Sequence, residues 1–253
     1  MLFLLPPSES KLGGGSVGSR LDLSTLSFPE LLDVRRAALR DLAVLVEGRD
    51  AAVRALGLGP RSAAEVELDV AVASSPTRRA LERYTGVLFD PLRVDELDAG
   101  SWRWAQEHVV VHSALFGPVR AGDLVPAYRV SHDSRLPGAS MKARWRAPVA
   151  AALAAVGGPV VDLRSEGYAA LGPVGGPDVA RVHVVSEDGG RRRALNHFNK
   201  KSKGLLVAAL LRDRPELTSA DDLVDWAVGR GIVLERGEQL TLVAESLEDA
   251  RAA

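Results

Sequence analysis

The segment His197-Phe198-Asn199-Lys200-Lys201-Ser202-Lys203-Gly204 places polar and basic groups where a strand is expected to hand over to a helix. At such a junction backbone N–H groups point outward at an anion. Lys200 and Lys203, three apart, share one face of the first helical turn. Cations there oppose the helix dipole, so stability alone does not favour them, whereas an acidic or phosphate-bearing ligand does. Asp162-Leu163-Arg164-Ser165-Glu166-Gly167-Tyr168 stands at the C-terminal end of another expected strand, where sheet proteins build sites. Asp162 and Arg164 project to one strand face and can pair there. Two longer stretches are basic: Arg191 to Lys203 contains no acid, and Arg129 to Arg146 contains only Asp133. Because the whole chain has 32 Lys plus Arg against 33 Asp plus Glu, this is segregation of charge. It makes either a positive surface facing anions or a solvated face whose acids come from elsewhere in the fold.

Other patterns carry less. Gly13, Gly15 and Gly18 satisfy G-x-G-x-x-G, but they neither follow a strand directly nor open a helix, so a loop is expected. His108 and His112 flank Val109-Val110-Val111, which reads as strand, and four residues of strand span about 13 Å, too far for one ion. Phosphate-loop, nucleophile-elbow and zinc-protease motifs are absent. With no cysteine, thiolate metal sites, disulfides and thiol peroxidase chemistry are excluded. No metal and no cofactor is expected.

The elements that must position these residues belong to an ordinary globular chain of 253 residues, 46% hydrophobic and 26% charged, which excludes wholesale disorder. A net charge of -1 excludes a histone-like protein. No apolar run approaches the roughly 18 residues of a membrane span. Leu2 to Leu5 ends at Pro6-Pro7 and reads as a buried strand, not a signal peptide, so a cytoplasmic location and no membrane partner are expected. Helices are expected after Ser27 (a cap candidate), after a Ser62/Glu65 capping box, from Pro76 to Tyr84, and over 101–107, 139–156, 200–213 and 219–229. Strands are expected at 109–111, 159–164, 179–185, 192–199, 232–235 and 240–244, with a hairpin turn at Asp188-Gly189-Gly190. The fold class is α+β, one domain over residues 1–245 with a mixed β-sheet and interleaved helices, followed by a polar tail, 246–253.

Eight segments in order resemble the YaaA peroxide-stress-response family (UPF0246 type) of bacterial cytoplasmic proteins. They begin with Leu5-Pro6-Pro7-Ser8-Glu9-Ser10-Lys11 and Arg83-Tyr84-Thr85-Gly86-Val87-Leu88-Phe89-Asp90. Ser113-Ala114-Leu115-Phe116-Gly117 follows, with Arg120, Asp123 and Pro126-Ala127-Tyr128-Arg129. Leu136-Pro137-Gly138, Trp145, Val161-Asp162-Leu163-Arg164-Ser165 and His197-Phe198-Asn199-Lys200 complete the set. Some members begin with a Ser-Pro-Ala-Lys-Thr type of segment, against which Lys11 aligns. The resemblance implies an α+β fold peculiar to the family, a positively charged cleft, and binding to DNA, including bent or branched duplexes. It also implies a part in surviving hydrogen peroxide, with less free iron and less oxidative DNA damage. A helix-hairpin-helix-like element is implied near Ser113 to Arg120.

Two functional readings follow. In the first, Lys11, Arg120, Arg129, Arg164, Lys200 and Lys203 contact DNA phosphates from one cleft, with little sequence preference and steep salt dependence. In the second, the same segments build an enzyme pocket for a small phosphorylated or carboxylated, nucleotide-like ligand. DNA has little use for Glu9, Asp123, Asp162 and the tyrosines, whereas a pocket uses acids to orient lysines or to handle protons. There Lys11, Arg129 and Lys200 are the anion ligands, and Glu9 or Asp162 is the candidate general base. Tyr128 and His197 are further catalytic candidates, and Ser8, Tyr84, Thr85, Ser165 and Asn199 supply polar groups. Convergence of these side chains in a pocket favours the second reading; an open basic groove favours the first. Oligomeric state has no signal in the sequence.

Overall fold

The structure is a computed structural model, and it describes residues 1–188, 191–194 and 198–247. The chain enters through β1 (Leu2–Leu5), an apolar run buried on both faces as a central parallel strand requires. After a loop come α1 (Leu32–Val46), α2 (Arg49–Ala55), α3 (Val66–Val70), β2 (Arg78–Arg79), α4 (Ala80–Arg83) and α5 (Ala99–His108). Then follow β3 (Val109–Ser113), β4 (Gly117–Arg120), β5 (Leu124–Val125), α6 (Met141–Val156), β6 (Val160–Asp162) and α7 (Glu166–Ala170). The last third holds β7 (Val179–Asp188), β8 (Arg191–Ala194), α8 (Phe198–Asp213), α9 (Ala220–Val228), β9 (Leu234–Arg236) and β10 (Leu240–Val243).

Eight of these strands form one mixed sheet in the order β4-β3-β1-β6-β7-β10-β9, with β8 pairing β7. β1 runs parallel to β3 on one side and to β6 on the other, with Leu4 opposite both Val110 and Asp162. The connectivity therefore reverses at β1, and the carboxyl ends of β3, β1 and β6 lie together, the usual place for a ligand in such sheets. No described helix is long and apolar enough to cross a membrane.

The mixed sheet with interleaved helices agrees with the expected fold class, and several local expectations change. Ser27 caps nothing: its N–H and hydroxyl donate to Asp123, and a 3-10 turn at Pro29–Leu31 leads into α1. The Ser62/Glu65 capping box does not form, because the Ser62 hydroxyl donates to the Gly59 carbonyl and the Glu65 carboxylate turns to Arg129. The stretch from Pro76 becomes a short strand before α4, since Arg78 and Arg79 pair with β5. Of the strand expected over 192–199, residues 192–194 pair with β7, 195–197 lie outside the described residues, and Phe198 and Asn199 instead open α8. Ser113 to Arg120 is a β-hairpin, with Ser113 opposite Gly117, not a pair of helices.

Candidate functional site

Five chain segments meet at the carboxyl end of β1. The segment leaving β1 carries Ser8, Glu9 and Lys11, and a single bridge pairs the Lys11 backbone with that of Tyr84, just after α4. Half-buried Lys11 holds its ammonium 4.1 Å from the centre of the Tyr128 ring and 5.5 Å from that of Tyr84. It donates to the Ser8 carbonyl at 2.9 Å and the Glu9 carbonyl at 3.3 Å. Burial, reinforced by the nearby Arg129 cation, lowers the Lys11 amine to about 7. Lys11 is thus divided between ammonium and free amine at neutral pH.

Arg129 donates to the Glu9 carbonyl at 2.9 Å and pairs with the Glu65 carboxylate at 2.9 Å and that of Glu9 at 3.6 Å. Its backbone N–H donates to Asp69, a buried carboxylate on α3 raised by burial to about 6. The phenols of Tyr84 and Tyr128 lie 2.8 Å apart, and that of Tyr128 lies 2.7 Å from the Ser113 hydroxyl at the end of β3. Burial raises Tyr84 to about 12 and holds Tyr128 well above the usual phenol range, so both remain protonated. Thr85 and Ser8 close the margin, with the Thr85 N–H donating to the Ser8 hydroxyl.

Just past the end of the neighbouring strand β6, Arg164 makes a two-pronged pair with Asp162, each bond 2.8 Å. It also donates to His112 Nδ1 at 2.8 Å and to the Gly172 carbonyl at 2.9 Å. Because arginine only donates, His112 Nδ1 accepts, which places the ring hydrogen on Nε2. Burial and the Arg164 charge keep His112 neutral. Arg164 is 1% exposed and this pairing occupies it within the fold.

The remaining predicted residues disperse. Arg120 pairs in register with Val110, toward the amino end of β3, and donates to the Gln106 and Glu107 carbonyls. Asp123 stays with it, holding the Arg120 N–H and Ser27. Lys203 on α8 is buried and lowered to about 8 by that burial, against the opposing pull of Asp162. Lys200 is exposed, Asn199 is half-buried beside it, and Ser165 is exposed at the start of α7. His197 lies outside the described residues. Sequence reasoning missed Asp69, although Val66 and Val72 stand three residues on either side of it and mark a buried helical face. Among the described residues no group of three His, Asp or Glu side chains gathers to hold a metal.

Residues 1–230 match the family described as Peroxide stress protein YaaA. The chain belongs to that family. A UPF0246 protein of Corynebacterium efficiens is 44% identical over 96% of this chain and all of its own length. UPF0246 relatives from Corynebacterium glutamicum and Streptomyces coelicolor are each 41% identical, covering 96% and 83% of this chain and 100% and 83% of their own. Four of the segments that carry the family resemblance, Ser8 to Lys11, Arg83 to Thr85, Ser113 and Tyr128-Arg129, help build the Lys11 cluster, joined by Glu65 and Asp69.

Proposed function

We propose that this YaaA-family protein serves the response to peroxide by binding an oxyanion, a phosphate or carboxylate, at the carboxyl-end edge of its sheet. Lys11 carries the reading: a cation held against two tyrosine rings, half-buried, and paired with carbonyls instead of a carboxylate. Glu9, Glu65 and Asp69 around it suit a small phosphorylated or carboxylated, nucleotide-like ligand, because a pocket uses acids to orient its cations, as Glu9 and Glu65 orient Arg129, or to move protons, whereas DNA has little use for them. If the ligand is transformed, Lys11 and Asp69 are the groups poised for proton transfer near neutral pH.

A second reading, binding of duplex or branched DNA that limits iron-dependent damage, draws on different residues. Lys200, Arg193, Lys142 and Arg146 are exposed, whereas Arg120, Arg129 and Arg164 are engaged with protein partners. DNA contact therefore falls to the exposed cations, with the Lys11 site seating one phosphate.

Anisotropy of labelled duplex and four-way-junction DNA over a salt series separates the two, alongside calorimetry with ADP and inorganic phosphate. The small-ligand reading expects phosphate or ADP binding that Lys11→Met abolishes and Lys200→Ala spares. DNA binding with a shallower salt slope in Lys200→Ala, and no small-anion binding, shifts the function to DNA. Neither kind of binding at low salt overturns both.

A further inference from the structure

We infer that the Tyr84 hydroxyl is the hydrogen-bond donor of the Lys11 site, aimed at a ligand oxygen by a one-way chain of hydroxyls that starts at the β3–β4 turn. The inference rests on the oxyanion reading above and adds the group that would meet the anion beside Lys11.

The direction of the chain follows from counting donors and acceptors. Ser113 Oγ accepts from the backbone N–H groups of Leu115 at 3.1 Å and Phe116 at 2.9 Å. A hydroxyl oxygen has two lone pairs, so both are taken and Ser113 can only donate onward. Its shortest remaining side-chain contact is the Tyr128 hydroxyl at 2.7 Å, with the Tyr84 hydroxyl farther off, and Tyr128 therefore accepts. Tyr128 in turn contacts Tyr84 at 2.8 Å. Three hydroxyls joined by two contacts use two hydrogens, and the third has no acceptor among the described residues. Hydrogen bonds in a chain polarise one another in a common direction, which puts the spare hydrogen on Tyr84, at the far end from the amides.

Tyr84 is 2% exposed, and a buried O–H without an acceptor is unfavourable. An oxygen brought by a ligand removes that penalty. Lys11 faces both phenol rings and its backbone is bridged to Tyr84, so a carboxylate or phosphate meeting the ammonium has the phenol beside it. Burial keeps Tyr84 protonated at neutral pH, which a donor requires. The β3–β4 turn amides thus reach the ligand through Ser113, Tyr128 and Tyr84, and Ser113 acts as a positioning residue.

The test is calorimetric titration at pH 6 with inorganic phosphate and with acetate. It compares wild type with Tyr84→Phe, Ser113→Ala and Lys11→Met, each checked for folding by circular dichroism. Tyr84→Phe is expected to weaken binding about tenfold and Ser113→Ala about threefold, because without Ser113 nothing sets the direction of the chain. As a readout that needs no variant, the Cζ resonance of ¹³C-labelled Tyr84 in the wild type should shift on adding phosphate. If Lys11→Met abolishes binding while Tyr84→Phe matches wild type, or the Tyr84 resonance stays still at saturation, the inference falls and the oxyanion reading stands. If wild type binds neither probe, the oxyanion reading falls and takes the inference with it.

Discussion

Two clusters of buried polar side chains occupy neighbouring strands at the same edge of the sheet. Around Arg164, the guanidinium meets both Asp162 oxygens, His112 Nδ1 and the Gly172 carbonyl, and the opposite charge sits two residues away. Around Lys11, the ammonium meets two carbonyls and two π faces, the nearby carboxylates are engaged with Arg129, and a phenol hydrogen lacks an acceptor. Burial of a charge is common to both, so burial is not what distinguishes a functional cation from a structural one. The difference lies in what each group still has to offer once its protein partners are counted.

Removing each cation in turn tests that contrast most directly. Arg164→Met leaves Asp162 buried without its partner and is expected to lose about 3–5 kcal/mol in guanidinium unfolding. Lys11→Met, which replaces a burial-disfavoured ammonium with an apolar chain, should lose far less or gain stability. Equal losses would erase the distinction. Tyr128→Phe comes next, at about 1–2 kcal/mol, because the Ser113 hydroxyl then keeps a hydrogen without an acceptor.

A pH series sharpens the contrast. The Lys11 amine is lowered to about 7 from its ordinary 10.5, so between these values the unfolded chain binds more protons than the native one. Stability should rise with pH across about 7 to 10, and the penalty is fully present below about 7. Lys203, lowered to about 8, adds to the same slope, so Lys11→Met should reduce the rise without removing it. Asp69, raised to about 6, acts in the opposite direction, with stability falling as pH climbs from 3.8 through about 6. The smallest effect is at exposed Lys200: Lys200→Ala should change stability by less than about 0.5 kcal/mol and act only on a salt-dependent partner.

Much of the frame was legible because it is written in local pattern. The apolar run of β1, the alternation along β7 and the Ser219 cap of α9 all depend on neighbours in sequence. Arg164 with Asp162 was legible for the same reason, as residues two apart, although the strand ends at Asp162 and Arg164 lies just beyond it. The Lys11 site was only half legible. Ser8, Glu9, Lys11, Tyr84, Tyr128 and Arg129 stood out by family resemblance, but their convergence depends on the Lys11–Tyr84 bridge and on the parallel pairing of β1 with β3. Glu65 shows how a local motif loses to a distant partner, since the carboxylate that spacing assigns to a capping box is drawn to Arg129. Arg120 stands apart from the Lys11 site because the β3–β4 hairpin carries it back toward the amino end of β3.

The glycine-rich stretch after Lys11 is shaped by Arg83. Its buried guanidinium, spanning Leu12, Gly14, Pro76 and Val125, bonds only their carbonyls. A grip on carbonyls is indifferent to side-chain identity, so the path of this loop can persist while its residues drift, except at Gly15, where a Cβ would collide with the Thr77 carbonyl, and at Gly14 and Gly18, which take left-handed φ. Val17, fully exposed at its outer bend, is therefore a natural attachment point for a fluorophore. A label there would sit a few residues from Lys11 along the chain, on a segment whose course is held by a side chain some distance along from it.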